Sequence, residues 1–254
     1  MPYVLAVAGK GGTGKTTLAG LIVRSWLRTG RTPVLAVDAD PNTNLDVVLG
    51  LHPSRTISDV LDATKGMRDV PSAMPRTTYL QYHLEECLCE GRGVDLIVMG
   101  RPEGPGCYCA ANHLLRGHLD RLMGSYPYVV MDNEAGMEHL SRRTTRDVDL
   151  LLIVSDPTLA GLKAARRIQG LVGELKLAVR EIGLVINRAD GLPPAVEHSL
   201  GEDGLRVVGT VPEDPLVVAY ELEGRPLLDL PDEAPSARAV SAILSSTQPA
   251  AVGP

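Results

Sequence analysis

Phenylalanine is absent from this 254-residue chain, aromatic residues make up 3% of it, and tryptophan occurs once. Any core must therefore be built from Val, Leu, Ile and Ala. Cysteine occurs only four times, which excludes a disulfide-dense secreted scaffold and leaves thiols or metal ligands as the reading. No apolar run approaches the roughly 20 residues that span a bilayer. The opening MPYVLAVAGKGG lacks a basic n-region, and its apolar run leads straight into a glycine loop, unlike a secretory signal. The expectation is a cytoplasmic protein. Positive charge is also short: a formal net charge of −6 argues against a dominant nucleic-acid or anionic-membrane surface.

What is present describes an ordinary globular chain, with 44% hydrophobic and 22% charged residues. At this length a domain buries roughly 70–75% of its unfolded surface, so a sizeable core is available. Short continuous apolar runs recur at 3–8, 34–37, 94–99, 128–131, 150–154, 182–186 and 207–211. They do not alternate apolar with polar, which suits strands covered on both faces of a parallel sheet. Helical spacing lies between them. The clearest case is Leu159, Leu162, Ala165, Ile168, Val172 and Leu175, with Ser155, Asp156 and Thr158 available as N-caps. This alternation predicts an α/β, doubly wound, mostly parallel sheet of about seven or eight strands with helices on both faces. No repeat or interior linker is visible, so residues 1–254 read as one domain. Residues 52–93, broken by Pro53, Pro71 and Pro75, are the least regular part, and 248–254 read as a frayed tail.

Directly after the first run comes Gly9-Lys10-Gly11-Gly12-Thr13-Gly14-Lys15-Thr16-Thr17, a G-x-x-x-x-G-K-[ST] motif between a buried strand and a helix, 18–28. Glycines let successive backbone N–H groups turn inward onto phosphate oxygens, and the helix N-terminus adds partial positive charge. Lys15 is placed to reach the β- and γ-phosphates of ATP, and the Thr16 hydroxyl to complete an Mg²⁺ shell. The competing reading is a glycine-rich turn that binds nothing.

The second lysine of the loop, Lys10, makes KGGTGKTT resemble the deviant Walker A motif of the MinD, ParA and nitrogenase iron protein class. That resemblance implies an ATP/ADP-dependent homodimer in which Lys10 crosses to the partner's nucleotide, with Gly11, Gly12, Thr13, Gly14 and Thr17 in the phosphate cradle. The second strand runs into Val37-Asp38-Ala39-Asp40-Pro41-Asn42. Asp40 matches the family's water-orienting carboxylate, while Asp38 supports Mg²⁺ indirectly or caps the turn. Asp132 resembles the Walker B acid, and Gly136 the glycine whose N–H senses the γ-phosphate. Asn187 and Arg188 resemble the adenine-contacting strand end. Val211-Pro212-Glu213-Asp214 resembles the loop that closes over base and ribose, with Pro212 and Glu213 as its contacts.

The four cysteines form two pairs. Cys87 and Cys89 lie in 79–90, where Leu80, Leu84, Cys87 and Leu88 recur at helical spacing. Residues two apart on a helix point about 200° away from each other, so this pair reads as a core thiol, Cys87, and an incidental one, Cys89. Cys107 and Cys109 follow Gly104-Pro105-Gly106 and precede an expected helix, 110–123. Side chains two apart in an extended segment share a side. A helix N-terminus favours thiolates. One C-x-C supplies two ligands of a tetrahedral thiophilic site, and two copies about a two-fold axis supply four. The alternative is two buried thiols packing a loop.

Residues 100–116, GRPEGPGCYCAANHLLR, together with KGGTGKTT, DADPN and DNEAG in order, resemble the CooC-type ATPases. The resemblance covers essentially the whole chain. It implies nickel insertion into carbon monoxide dehydrogenase or a related nickel enzyme, with nickel or zinc on Cys107 and Cys109. A rival is an iron protein-like electron donor with a [4Fe–4S] cluster between subunits. That cluster draws a second cysteine from just beyond the Walker B segment, where 133–140 here have none, and His139 reads as a surface residue. A MinD-like membrane-positioning ATPase would want a basic amphipathic C-terminal helix, yet 236–246 carry one cation, Arg238. A ParA-like DNA-binding ATPase would want a basic face, and Arg142-Arg143 and Arg166-Arg167 read as solvated helix surfaces.

Overall fold

The computed structural model describes residues 1–40, 42, 44–65, 76–101, 109–133, 148–200 and 205–247. The apolar runs form strands β1 (Tyr3–Gly9), β2 (Val34–Asp38), β4 (Val94–Val98), β5 (Tyr128–Asp132), β6 (Val148–Ser155), β7 (Val179–Asn187) and β8 (Val207–Val211), with a two-residue β3 (Leu88–Cys89). Their order in the single eight-stranded sheet is β3-β4-β2-β5-β1-β6-β7-β8. Every pairing is parallel except β3 on β4. Strand β3 closes one edge and is too short to carry a periodicity, which is why the sequence does not announce it.

Two apolar layers cover the sheet, because successive residues of each strand face opposite sides. One layer packs β residues such as Val4, Ala6, Leu35 and Val37 under α3 (Ile57–Lys65), α4 (Arg76–Glu85), α5 (Cys109–Gly124) and α6 (Leu159–Glu174), with Val196 of α7 (Pro194–Leu200) at its margin. The other packs Leu5, Val7, Val34 and Ala36 under α1 (Lys15–Arg28) and α2 (Leu45–Leu49). It continues under α8 (Pro215–Glu223), a 3₁₀ turn (Leu227–Asp229) and α9 (Pro235–Thr247). The lone Trp26 is 1% exposed and packs edge-on against Tyr3 and tilted against Tyr128, so these three aromatics sit together at one end of the sheet. Of the expected caps on α6, Thr158 is the one used: its side chain accepts from Gly161 N at 3.0 Å.

One expectation needs correcting. The helical spacing across 79–90 stops early: α4 ends at Glu85, Cys87 occupies a turn, and Cys89 belongs to β3. Cys87 is nevertheless core, 1% exposed, its thiol directed at the carbonyls of Thr56 and His83 at 3.4 and 3.5 Å. Burial pushes that thiol up to about 12. The Pro/Ala/Ser-rich stretch after Leu230 carries the last helix. Pro235 starts α9, which buries Ser236, Ala237, Val240, Ile243 and Leu244. Residues 248–254, read from sequence as a frayed tail, lie outside the described residues.

Strand β1 lies at the point where the connections reverse direction, between β5 and β6. In an open doubly wound sheet, ligands sit outside the carboxyl ends of the strands at that point. The glycine loop, Asp38 and Asp132 all emerge there.

Candidate nucleotide site

The loop after β1 is shaped by its glycines and held by its own threonine. Thr13, 3% exposed, donates its hydroxyl to Lys10 O at 2.8 Å, and its N–H reaches the same carbonyl at 3.3 Å. Gly9 packs so closely on β6 that a Cβ would lie 2.4 Å from Val154 O. Gly14 has φ 87°, a conformation that L side chains resist, and a Cβ there would meet Asn187 Nδ2 at 2.3 Å. Lys15 opens α1 and is 7% exposed, whereas Lys10, Gly11 and Gly12 face solvent and Thr16 and Thr17 are half-buried. One loop thus presents an inward lysine and an outward one.

Asp38 and Asp132 are register partners on the adjacent strands β2 and β5, on the sheet face that carries α1, and both are fully buried. They differ in their partners. Asp38 Oδ1 accepts from Asp40 N and Oδ2 from Leu45 N, each at 3.1 Å, so one carboxylate ties Asp40 to the first residue of α2. Burial raises it to about 6 against the opposing pull of those N–H groups. Asp40 is half-buried, its Oδ1 accepting from Asn42 N at 2.9 Å. Among the described residues neither oxygen of Asp132 has a partner in good hydrogen-bond geometry, although the Thr16 hydroxyl lies beside it. Burial, reinforced by Asp38, raises Asp132 to about 7, while the nearby Thr16 hydroxyl and Lys15 ammonium favour its ionised form. An orphaned buried carboxylate beside a hydroxyl is an all-oxygen donor set, which suits Mg²⁺.

A cavity of about 180 Å³ opens beside the glycine loop. Asn187, Arg188, Pro212 and Glu213, picked out from sequence, all line it together with Gly14 and Thr17. Asn187 is oriented by donating Nδ2 to Thr13 O at 2.7 Å, and Arg188 follows it with φ 57°. Val211 and Asp214, of the same loop as Pro212 and Glu213, line the cavity too; sequence reading missed the rest of the wall, Leu18 and Leu21 of α1, Val217, Val218 and Glu221 of α8, and Ser236 of α9. Only the Asp-Pro start of α8, an N-cap followed by N1 proline, could have marked this corner. Asn133, also missed, is fully buried and donates Nδ2 to Val7 O and Met131 O at 3.1 and 3.2 Å.

Of the remaining sequence candidates, Gly136 and Cys107 lie outside the described residues. Cys109 is the first residue of α5, and its side chain is likewise outside them. The segment that carries both cysteines departs from β4 beside the site: Met99 N donates to Asp38 O at 2.8 Å. Among the described residues no cluster of three or more His, Cys, Asp or Glu could hold a metal ion. No described helix is long and apolar enough to cross a membrane.

Comparison with known proteins agrees with this geometry. Residues 4–227 match the CobQ/CobB/MinD/ParA nucleotide binding domain. An uncharacterized ATP-binding protein of Methanocaldococcus jannaschii is 40% identical over 233 residues, covering 90% of this chain and 92% of the relative. The carbon monoxide dehydrogenase accessory protein CooC of Rhodospirillum rubrum is 31% identical over 250 residues, 89% of each chain. The crystal structure of the cell division ATPase MinD of Pyrococcus furiosus superposes with a TM-score of 0.70 at 25% identity, covering 97% of this chain and 98% of that one. A glycine loop with an inward lysine, an orphaned acid at the switch point, and a match spanning nearly the whole sheet converge on one assignment: the chain belongs to the CobQ/CobB/MinD/ParA nucleotide-binding family and is an ATP-binding ATPase of the MinD/ParA class.

Proposed function

We propose that residues 1–254 form one cytoplasmic ATPase that works as a homodimer and carries a thiophilic ion, nickel or zinc. The ion is delivered to carbon monoxide dehydrogenase or a related nickel enzyme, without nucleic acid or membrane as a partner. The observation that carries this reading is the C-x-C pair at the start of α5, whose second cysteine, Cys109, opens the helix, in a segment that leaves the sheet alongside Asp38. The relationship to a carbon monoxide dehydrogenase accessory protein over nine-tenths of the chain supports it.

In this reading Gly11 to Thr17 cradle the phosphates of ATP and Lys15 draws charge from the β- and γ-phosphates. Thr16 and Asp132 would hold Mg²⁺, which when bound neutralises charge on the phosphate oxygens. Asp40 orients the attacking water, and the loop that positions it is held by Asp38. Lys10, exposed in the single chain, acts on the nucleotide of the second copy. Gly136 senses the γ-phosphate, and Asn187, Arg188, Pro212 and Glu213 receive the base and ribose. Closing two copies on ATP brings Cys107 and Cys109 of each to the two-fold axis, where four thiolates hold the ion. Soft thiolates suit nickel and zinc alike.

The test is elemental analysis with solution mass, on protein purified anaerobically with and without ATP. The expected result is about one nickel or zinc per dimer, abolished in Cys107→Ala/Cys109→Ala. Four irons with acid-labile sulfide per dimer would make the protein a reductase, and undiminished metal in the double variant would remove the cysteines from the site.

A further inference from the structure

One buried carboxylate at the edge of the cleft serves two helices that are 20 residues apart in the chain. Asp214 is 5% exposed. Its Oδ1 accepts from Leu216 N at 3.0 Å, capping α8. Its Oδ2 accepts from Ser236 N at 3.0 Å and from the Ser236 hydroxyl at 2.6 Å, within the first turn of α9. Helix N-termini leave several N–H groups without intrahelical partners, and their dipoles favour a negative charge. Here two such termini converge on a single acid. Both Asp214 and Ser236 line the cleft, so this junction is part of its wall as well as a brace behind it.

The far end of the same segment is tied to α1. Arg24, 3% exposed, donates Nε to Leu230 O at 2.8 Å and pairs with Asp232. Ser25 and Ser241 hydroxyls lie 3.1 Å apart. The stretch from 226 to 247 is therefore anchored at its outer end by α1 and at the cleft by Asp214. The glycine loop is braced separately, through Thr13 to Lys10 O and Asn187 to Thr13 O. Asp214 takes no part in those braces, and the two halves meet at Asn187 and where the Thr17 hydroxyl donates to Glu221 Oε1 at 3.3 Å.

We propose that Asp214 is a positioning residue for nucleotide binding: by joining the N-termini of α8 and α9 it makes the C-terminal helix a wall of the base and ribose half of the site, leaving the phosphate half untouched. This rests on the cleft being the nucleoside end of the ATP site.

The experiment is calorimetric titration of the full chain with Mg-ADP and, separately, with inorganic tripolyphosphate, which occupies only a phosphate site. The variants are Asp214→Asn, Asp214→Ser and Ser236→Ala, with thermal unfolding recorded for each. Serine at 214 still caps α8 but cannot also reach Ser236. The expected result is that ADP affinity falls about tenfold in both Asp214 variants and by a smaller factor in Ser236→Ala. Tripolyphosphate affinity stays within twofold throughout, and KM for ATP rises while kcat at saturation holds. Equal losses for both ligands would overturn the proposal by making Asp214 a general stability residue. ADP affinity unchanged in all three variants would overturn it too. Wild-type protein that binds tripolyphosphate no more weakly than ADP would overturn the reading of the cleft itself, and the proposal with it.

Discussion

Replacing Asp132 with Asn should stabilise the nucleotide- and metal-free protein while removing its activity. The carboxylate is fully buried, with the Thr16 hydroxyl beside it but no well-formed hydrogen bond to either oxygen among the described residues, and its upward displacement from 3.8 to about 7 is caused first by burial. A raised acid has a definite linkage sign. The unfolded chain releases this proton near pH 4 and the folded chain only near 7, so folding is progressively penalised as pH climbs between them and the penalty is constant above. The displacement corresponds to a ceiling of about 4 kcal/mol at pH 8 and less than half of that at pH 5. Asn keeps the shape and removes the charge, at the cost of an amide with the same lack of partners. The expected net gain is about 2–4 kcal/mol at pH 8, or about 4–8 °C in Tm for a chain of this length. The assay is thermal unfolding of EDTA-treated wild type and Asp132→Asn between pH 5 and 8.5, with ATP turnover measured in parallel. A variant less stable than wild type at pH 8, or a gap that does not widen with pH, would refute the picture of an orphaned buried charge. In excess Mg-ATP the order should reverse, because ligand binds only the folded wild type tightly and stabilises it by mass action.

Two further outcomes follow from the geometry. Gly14→Ala should reduce nucleotide affinity at least tenfold, since its φ of 87° and the 2.3 Å approach to Asn187 Nδ2 leave no room for a methyl. Adding Asn187→Ala should relieve the clash without restoring affinity, which titration with ADP would read. Cys87, with its thiol raised to about 12 by burial, should resist iodoacetamide at pH 8 in a Cys107→Ala/Cys109→Ala background while Cys89, half-buried in β3, reacts. Rapid labelling of Cys87 in native protein, followed by peptide mass analysis, would contradict its place in the core.

Much of this molecule is local information. Strands buried on both faces must be continuous apolar runs, so seven of the eight strands were visible in the chain, together with the doubly wound order of elements. The glycine loop was equally legible, because a backbone that bends around phosphates needs glycine at set spacings wherever it occurs. The limits of α4 were not, since Leu80, Leu84, Cys87 and Leu88 carry a helical period past the point where tertiary packing turns the chain at Glu85 and pairs Leu88 with Ile97 on β4. Nor was the different condition of two similar acids. Asp38 and Asp132 each end an apolar strand, yet one accepts from two N–H groups and the other, among the described residues, from none. Only the pairing of β2 with β5, and the path of the chain from Asp38 to Leu45, decides that. The same holds for the nucleoside half of the cleft. Asn187 and Pro212 sit in recognisable strand ends, but Asp214 and Ser236 meet across 22 residues of sequence. Periodicity and motif spacing describe what a residue does to its own element, whereas a wall built from two helices exists only once the sheet has brought their ends together.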